Sequence, residues 1–163
     1  MSKTITIMRH TMAEGGSFQI SDADRNMLPE GKRQAQYVAS KMQENNLLPD
    51  AVWSSAANRA RQTAQALIDD LQIKSDITVK DSLYKESNSE VIDEILDNGS
   101  NAEHLLIVGH NPQVSNLIAQ LSGTNGFGWL ATAEMVSLEF DTDKWTDIRT
   151  APIIGRIKIS PSN

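Results

Sequence analysis

TITIMRHTMAE, residues 4–14, decides how this chain is read. A short run of β-branched Thr and Ile reads as a strand over residues 3–8, and a cation beside an imidazole, Arg9 and His10, stands where that strand ends. The polar, glycine-containing TMAEGGSFQISDADRN that follows reads as a long loop. Later in the chain HLLIVGHNP, residues 104–112, repeats the theme. An apolar strand runs into Gly109, a second histidine follows at 110, and Pro112 opens a helix carrying Val114, Leu117, Ile118 and Leu121.

The segments between these two alternate in type. Pro29 suits a first helical turn, Glu30 favours its positive end, and Ala35, Val38, Ala39 and Met42 recur at helical spacing until NNLLPD stops them. Residues 51–53, AVW, form a short buried strand. Ser54 or Ser55 then caps a helix to about Leu71, with Ala60, Ala64 and Leu67 inward. SDITVKDSLY reads as extended, and a helix over 89–97 carries Val91, Ile92, Ile95 and Leu96 before Asn98 and Gly99 end it. EMVSLEFDTDKWTDI and GRIKI alternate as strands joined by a turn at DTDK. Strand followed by helix, three times over, predicts a single α/β domain across residues 1–163: three α/β/α layers around a mainly parallel sheet.

Composition narrows the function classes. With 39% hydrophobic and 22% charged residues and no repeat period, the chain is an ordinary globular one. Its formal charge of -6 disfavours general attraction to nucleic acid or to an anionic membrane, so any anion site is made locally. No 18-residue apolar run and no secretory signal pattern are present, which predicts a soluble, cytoplasmic protein. The absence of cysteine excludes disulfides, thiolate metal sites and a cysteine nucleophile.

In an open parallel sheet, ligands gather at the carboxyl ends of the strands, and His10 and His110 both fall just beyond such ends. Imidazoles flanked by arginine make a poor cation site, so neither metal nor cofactor is expected. They suit a phosphoryl group, whose oxygens take bidentate donors of permanent charge. A neutral imidazole nitrogen attacks phosphorus, and a phosphohistidine intermediate splits one displacement into two. His10 then acts as nucleophile, Arg9 clamps the oxygens, and a protonated His110 stabilises the charge spreading over them. His104 precedes its strand and reads as structural. Lys32, Arg33 and Arg61 read as solvated helix residues, Trp53, Trp129 and Trp145 as packing or rim residues, and the carboxylates Glu90, Asp93, Glu94 and Asp97 as a solvated helix face.

MRHT after the first strand, SSAANRARQTA at a strand-to-helix turn and LLIVGHNP resemble, in order and spacing, the three signature segments of the histidine phosphatase superfamily, to which phosphoglycerate mutases belong. The short chain is most similar to the SixA-type phosphohistidine phosphatases. That resemblance implies a phosphoglycerate mutase-like fold, with His10 phosphorylated, Arg9 and Arg59 binding phosphate, and His110 as second catalytic histidine. DRNMLPEGKRQA resembles the segment before the family's first helix and implies Arg25 as a further substrate-binding residue. Thr11, in the place of the glycine most familiar after the arginine-histidine pair, is another. Family members that act on alcohol phosphates usually place a carboxylate mid-chain, where DSLYKESNSE offers Glu86. The resemblance favours phosphohistidine on a protein as substrate, the alternatives being a sugar or metabolite phosphate, or a catalytically silent module that holds a phosphorylated partner.

Overall fold

A computed structural model describes residues 2–85, 87–98 and 101–161. Its centre is a six-stranded sheet ordered β3-β2-β4-β1-β5-β6. The strands are β1 (Lys3–Arg9), β2 (Ala51–Ser54), β3 (Ile77–Val79), β4 (His104–Gly109), β5 (Met135–Phe140) and β6 (Ile153–Ile159). β1, β2, β3 and β4 run parallel, while β5 pairs antiparallel with both β1 and β6. This is a single α/β domain with a mixed, mainly parallel sheet, as the strand-helix alternation predicts.

Alternation along the strands divides the core in two. Ile5 and Ile7 of β1 and Leu105 and Ile107 of β4 face one side. There they meet α4 (Asn88–Leu96) and α5 (Gln113–Ser122) through Val91, Ile95, Val114 and Leu117. Met8, Leu106 and Val108 face the other side, against α1 (Pro29–Glu44) and α2 (Asn58–Leu71) through Val38, Met42, Ala64 and Leu67. All six residues of β4 are buried, and each of its fully buried Leu, Ile and Val side chains contributes about 1.5–3 kcal/mol.

Three local expectations change. Residues 77–84 do not stay extended throughout: β3 is followed by the short α3 (Asp81–Tyr84), which buries Ser82 and Leu83. Helix α2 is capped by Ala57 rather than by Ser54 or Ser55. β5 and β6 are not joined by a tight turn at DTDK. The connection carries a 3-10 turn, Trp145–Asp147, because Trp145 and Ile148 are drawn into the core at 4% and 1% exposure. Helix α4 matches the expected span within one residue at each end, with Gly99 outside the described residues. Among the described residues no helix is long and apolar enough to cross a membrane.

Candidate active site

β1 and β4 are adjacent and parallel, and Arg9 pairs in register with Gly109. The next residue off each strand is therefore a histidine at the same level. The His10 and His110 rings lie 5.3 Å apart between centroids, tilted by 57°. The His10 backbone N–H donates to the Gly109 carbonyl (3.0 Å), and the His10 carbonyl accepts from Ala133 N–H (3.0 Å), which fixes the chain at this point.

The two rings are held differently. His10 Nδ1 lies 2.7 Å from the Thr11 carbonyl oxygen, and a carbonyl only accepts, so the proton sits on Nδ1 and the lone pair on Nε2. His110 Nε2 shares a 2.7 Å hydrogen bond with Ser55 Oγ, which also accepts from Ala57 N–H (3.2 Å). Ser55 is thus engaged with the second histidine just ahead of α2. Burial first, then the charges of Arg59, Arg9 and Arg25, push the His10 imidazole down to about 4 against the opposing bond to Thr11. Burial and Arg59, with His10 and Arg9, push His110 to about 3. Both rings are neutral in the free protein. For His110 this differs from the expected imidazolium, because desolvation and guanidinium charge act together and outweigh the opposing Asp22 carboxylate.

Five segments deliver the remaining groups to a cleft of about 410 Å³ lined by Arg9, His10, Asp22, Arg25, Arg59, Tyr84, His110 and Asn111. Arg9, the last residue of β1, donates to the Leu130 carbonyl, as does Asn111 Nδ2. Arg59, in the first turn of α2, donates from Nη1 to the Asp22 carbonyl (2.8 Å) and from Nη2 to Asp22 Oδ2 (3.2 Å). Arg25 and Asp22 arrive on the loop after β1, whose base is closed by antiparallel pairing of Ala13 with Met27. Arg25 donates from Nε to the Glu14 carbonyl and from Nη1 to Asp22 Oδ1 (3.0 Å). Tyr84, on α3, donates its hydroxyl to Asp22 Oδ2 (3.0 Å) and stands edge-on to His110 at 6.0 Å. Burial by itself raises the Asp22 carboxyl, but Tyr84, Arg59 and Arg25 together hold it below the usual carboxylate range.

Arg9, His10, Arg25, Arg59 and His110 come together as expected, and Thr11 does not join them. Thr11 is fully buried, with its N–H and hydroxyl turned to Thr63 Oγ1 at 3.1 and 3.0 Å. Glu86 lies outside the described residues. Arg61 is exposed and its side chain bonds only to Asn58 among the described residues, and His104 is buried at the opposite end of β4 against Thr6 Oγ1 (2.6 Å). Sequence reasoning did not find Asp22, Tyr84 or Ser55. SDADR held Asp22 in plain view, yet only folding of the loop turns it toward Arg59.

Three buried polar atoms have no hydrogen-bond partner among the described residues of the cleft: Arg9 Nε, Arg59 Nε and His110 Nδ1. Buried donors of this kind are normally paired. Three nitrogens left over beside a neutral imidazole suit a tetrahedral oxyanion.

Comparison with known proteins points the same way. A model of the histidine phosphatase superfamily (branch 1) matches residues 5–88. An uncharacterized protein of Mycobacterium tuberculosis, Rv1276c, is 36% identical over 135 residues, spanning 81% of this chain and 80% of its own. Among solved structures, a SixA from Nakamurella multipartitia superposes with a TM-score of 0.83 at 23% identity, covering 99% of this chain and 98% of the other. A protein histidine phosphatase SixA complexed with tungstate superposes at 0.72 and 20% identity, covering 94% and 96%. At these identities the two superpositions establish a shared fold.

Proposed function

The chain belongs to the histidine phosphatase superfamily (branch 1), and on that premise we propose that it is a metal-independent phosphatase that removes phosphate from phosphohistidine on a protein through a phosphohistidine intermediate at His10. The observation that carries this reading is the bond from His10 Nδ1 to the Thr11 carbonyl, which leaves Nε2 unprotonated within a cleft of three arginines. Nε2 attacks phosphorus. Arg9 and Arg59 hold the equatorial oxygens, and His110 donates to them once the phosphoryl charge offsets the burial and guanidinium charge that keep it neutral. Water then attacks the phosphorus held on His10 from the side vacated by the leaving group, and the P–Nε2 electron pair returns to the ring as phosphate departs.

The leaving group decides among substrates. Expelling an alkoxide calls for a positioned proton donor, typically with an effect of about 10² to 10⁴ in rate. Asp22, the carboxylate on the cleft, is held ionised by its neighbours and is poorly suited to that task. A phosphorylated imidazole with its ring protonated leaves as neutral imidazole and needs no such donor. The likeness to a structure named a protein histidine phosphatase, with a phosphate-like oxyanion bound, supports the same choice.

The test is a side-by-side rate comparison on a phosphohistidine protein, a sugar phosphate and an aryl phosphate, with and without chelator. The phosphohistidine protein should be fastest, chelator should change nothing, and wild type but not His10→Ala should carry acid-labile label. A sugar phosphate turned over fastest points instead to a metabolite phosphatase, and absence of any phosphoenzyme in wild type to a silent binding module.

A further inference from the structure

The floor of the cleft is cationic and buried, and its mouth is not. His10, Arg59 and His110 are 7%, 6% and 6% exposed, whereas the Asp22 side chain is 53% exposed. Both oxygens of that carboxylate are engaged at the rim, Oδ1 by Arg25 and Oδ2 by Arg59 and Tyr84. Asp22 is the one carboxylate lining the cleft among the described residues. A fixed negative charge bonded to a phosphate-binding arginine opposes entry of any phosphate dianion. Such a residue is out of place in a general phosphate site. It fits a substrate that brings a positive charge of its own beside the phosphorus.

We infer that Asp22 is the specificity-determining residue of this site: its carboxylate receives the ring N–H of a protonated phosphohistidine and so selects phosphoramidate substrates over phosphate esters. This rests on the reading of the cleft as a phosphohistidine phosphatase. The placement follows from in-line geometry. His10 Nε2 approaches phosphorus from the buried floor, so the bond that breaks points to the mouth, where Asp22, Arg25 and Tyr84 stand. The Nε2–P bond forms as the substrate's P–N bond breaks, and that electron pair returns to the departing ring nitrogen. The departing ring keeps its proton on its other nitrogen and leaves as neutral imidazole, its N–H still toward Asp22. In the second step a water oxygen bonds to phosphorus, the P–Nε2 pair returns to His10, and both water hydrogens leave on dihydrogen phosphate. Asp22 remains a carboxylate throughout. Selection is by attraction of the right leaving group and repulsion of the wrong one, since an ester brings no cation to offset the carboxylate.

The experiment measures kcat/KM on two substrates: a small protein phosphorylated on histidine with phosphoramidate, and p-nitrophenyl phosphate. For Asp22→Asn the ratio of the two values should fall at least roughly tenfold relative to wild type. Asp22→Glu, which restores the charge, should recover most of the preference and serves as the readout should the asparagine variant fail to fold. If Asp22→Asn lowers both substrates in proportion and leaves the ratio unchanged, Asp22 only holds Arg59 in place and the inference is wrong. An Asp22→Glu protein that folds but shows no preference overturns it equally. Failure of the underlying reading looks different: wild type itself would then show no preference for the phosphohistidine protein.

Discussion

Thr11 and Thr63 place their hydroxyl oxygens 3.0 Å apart in the protein interior, joining the loop after His10 to the helix that carries Arg59. Thr63 Oγ1 also accepts from Thr11 N–H (3.1 Å) and donates to the Arg59 carbonyl (2.7 Å). One side-chain oxygen therefore makes three hydrogen bonds, two across to the loop and one back within α2. Thr63→Val keeps the shape and removes that oxygen, leaving the Thr11 donors buried without a partner. The expected cost is about 1–3 kcal/mol in stability, read from denaturant midpoints, together with a fall in kcat/KM as His10 and Arg59 lose their common anchor. A variant of wild-type stability and rate would show that this link is dispensable.

The same linkage sets the two arginines of RARQT apart. Arg59 presents a planar fork into the cleft and is 6% exposed, whereas Arg61 is solvated and reaches only Asn58 among the described residues. Arg59→Lys replaces two directed donors by a point charge and should lose at least roughly tenfold in kcat/KM, or about 1.4 kcal/mol of transition-state stabilisation. Arg61→Lys should stay near wild type. Equal losses at the two positions would mean that both bind phosphate.

Gly31 is the third support of the loop after His10. It lies in the first turn of α1, where an added Cβ would sit 2.4 Å from the Met12 carbonyl, 2.7 Å from Thr11 Oγ1 and 2.8 Å from Met27 Cγ. Replacing a mid-helix glycine by alanine ordinarily stabilises by roughly 0.5–1 kcal/mol. Here the backbone approach reverses the sign. Gly31→Ala should cost about 1–3 kcal/mol and lower turnover with it, since the residues displaced are the two that follow His10. Thermal unfolding and steady-state rates check both parts, and a stabilised, fully active variant would rule the close packing out.

These supports explain which parts of the site sequence reading reaches. His10 and His110 are legible because each ends an apolar run, and parallel pairing carries strand ends to a common edge by geometry alone. Arg59 is legible through the RARQT turn, whose threonine proves to be the anchor for Thr11. Thr11 itself is misplaced by the same reasoning, because a residue next to a nucleophile looks open to substrate until Gly31 lets α1 close over it. Asp22 and Tyr84 belong to a loop and a one-turn helix with no periodicity to reveal their direction, and their meeting spans 62 residues of sequence. Ser55 reads as a helix cap from local chemistry, yet tertiary contact with His110 engages its hydroxyl. The β5–β6 connection departs from a tight turn for a similar reason. Burial of Trp145 and Ile148 outweighs the local preference of DTDK.

The buried histidines make stability itself depend on pH. His10, His104 and His110 are all pushed below the ordinary histidine value, the first two to about 4 and the third to about 3, with burial the leading cause in each case. In the unfolded chain each titrates near its ordinary value of about 6.5, so between that value and the folded one the unfolded state binds more protons. Their contribution is therefore fully present above about pH 6.5 and is lost as pH falls toward about 4, at up to about 1.4 kcal/mol per pH unit for each histidine. Small domains have only about 5–15 kcal/mol in total, so acid unfolding should begin well above the range where carboxylates alone would cause it. His104 isolates the effect from catalysis, because it sits at the end of β4 remote from the cleft, bonded to Thr6 Oγ1 and facing the Asp50 carboxylate. His104→Gln should be less stable than wild type at neutral pH, yet lose stability less steeply between pH 6.5 and 4.5, by about one third of the histidine-linked slope. Denaturant unfolding at several pH values measures that slope, with turnover at neutral pH as the control for an intact site. Equal slopes in the two proteins would show that His104 takes up its proton without unfolding the chain.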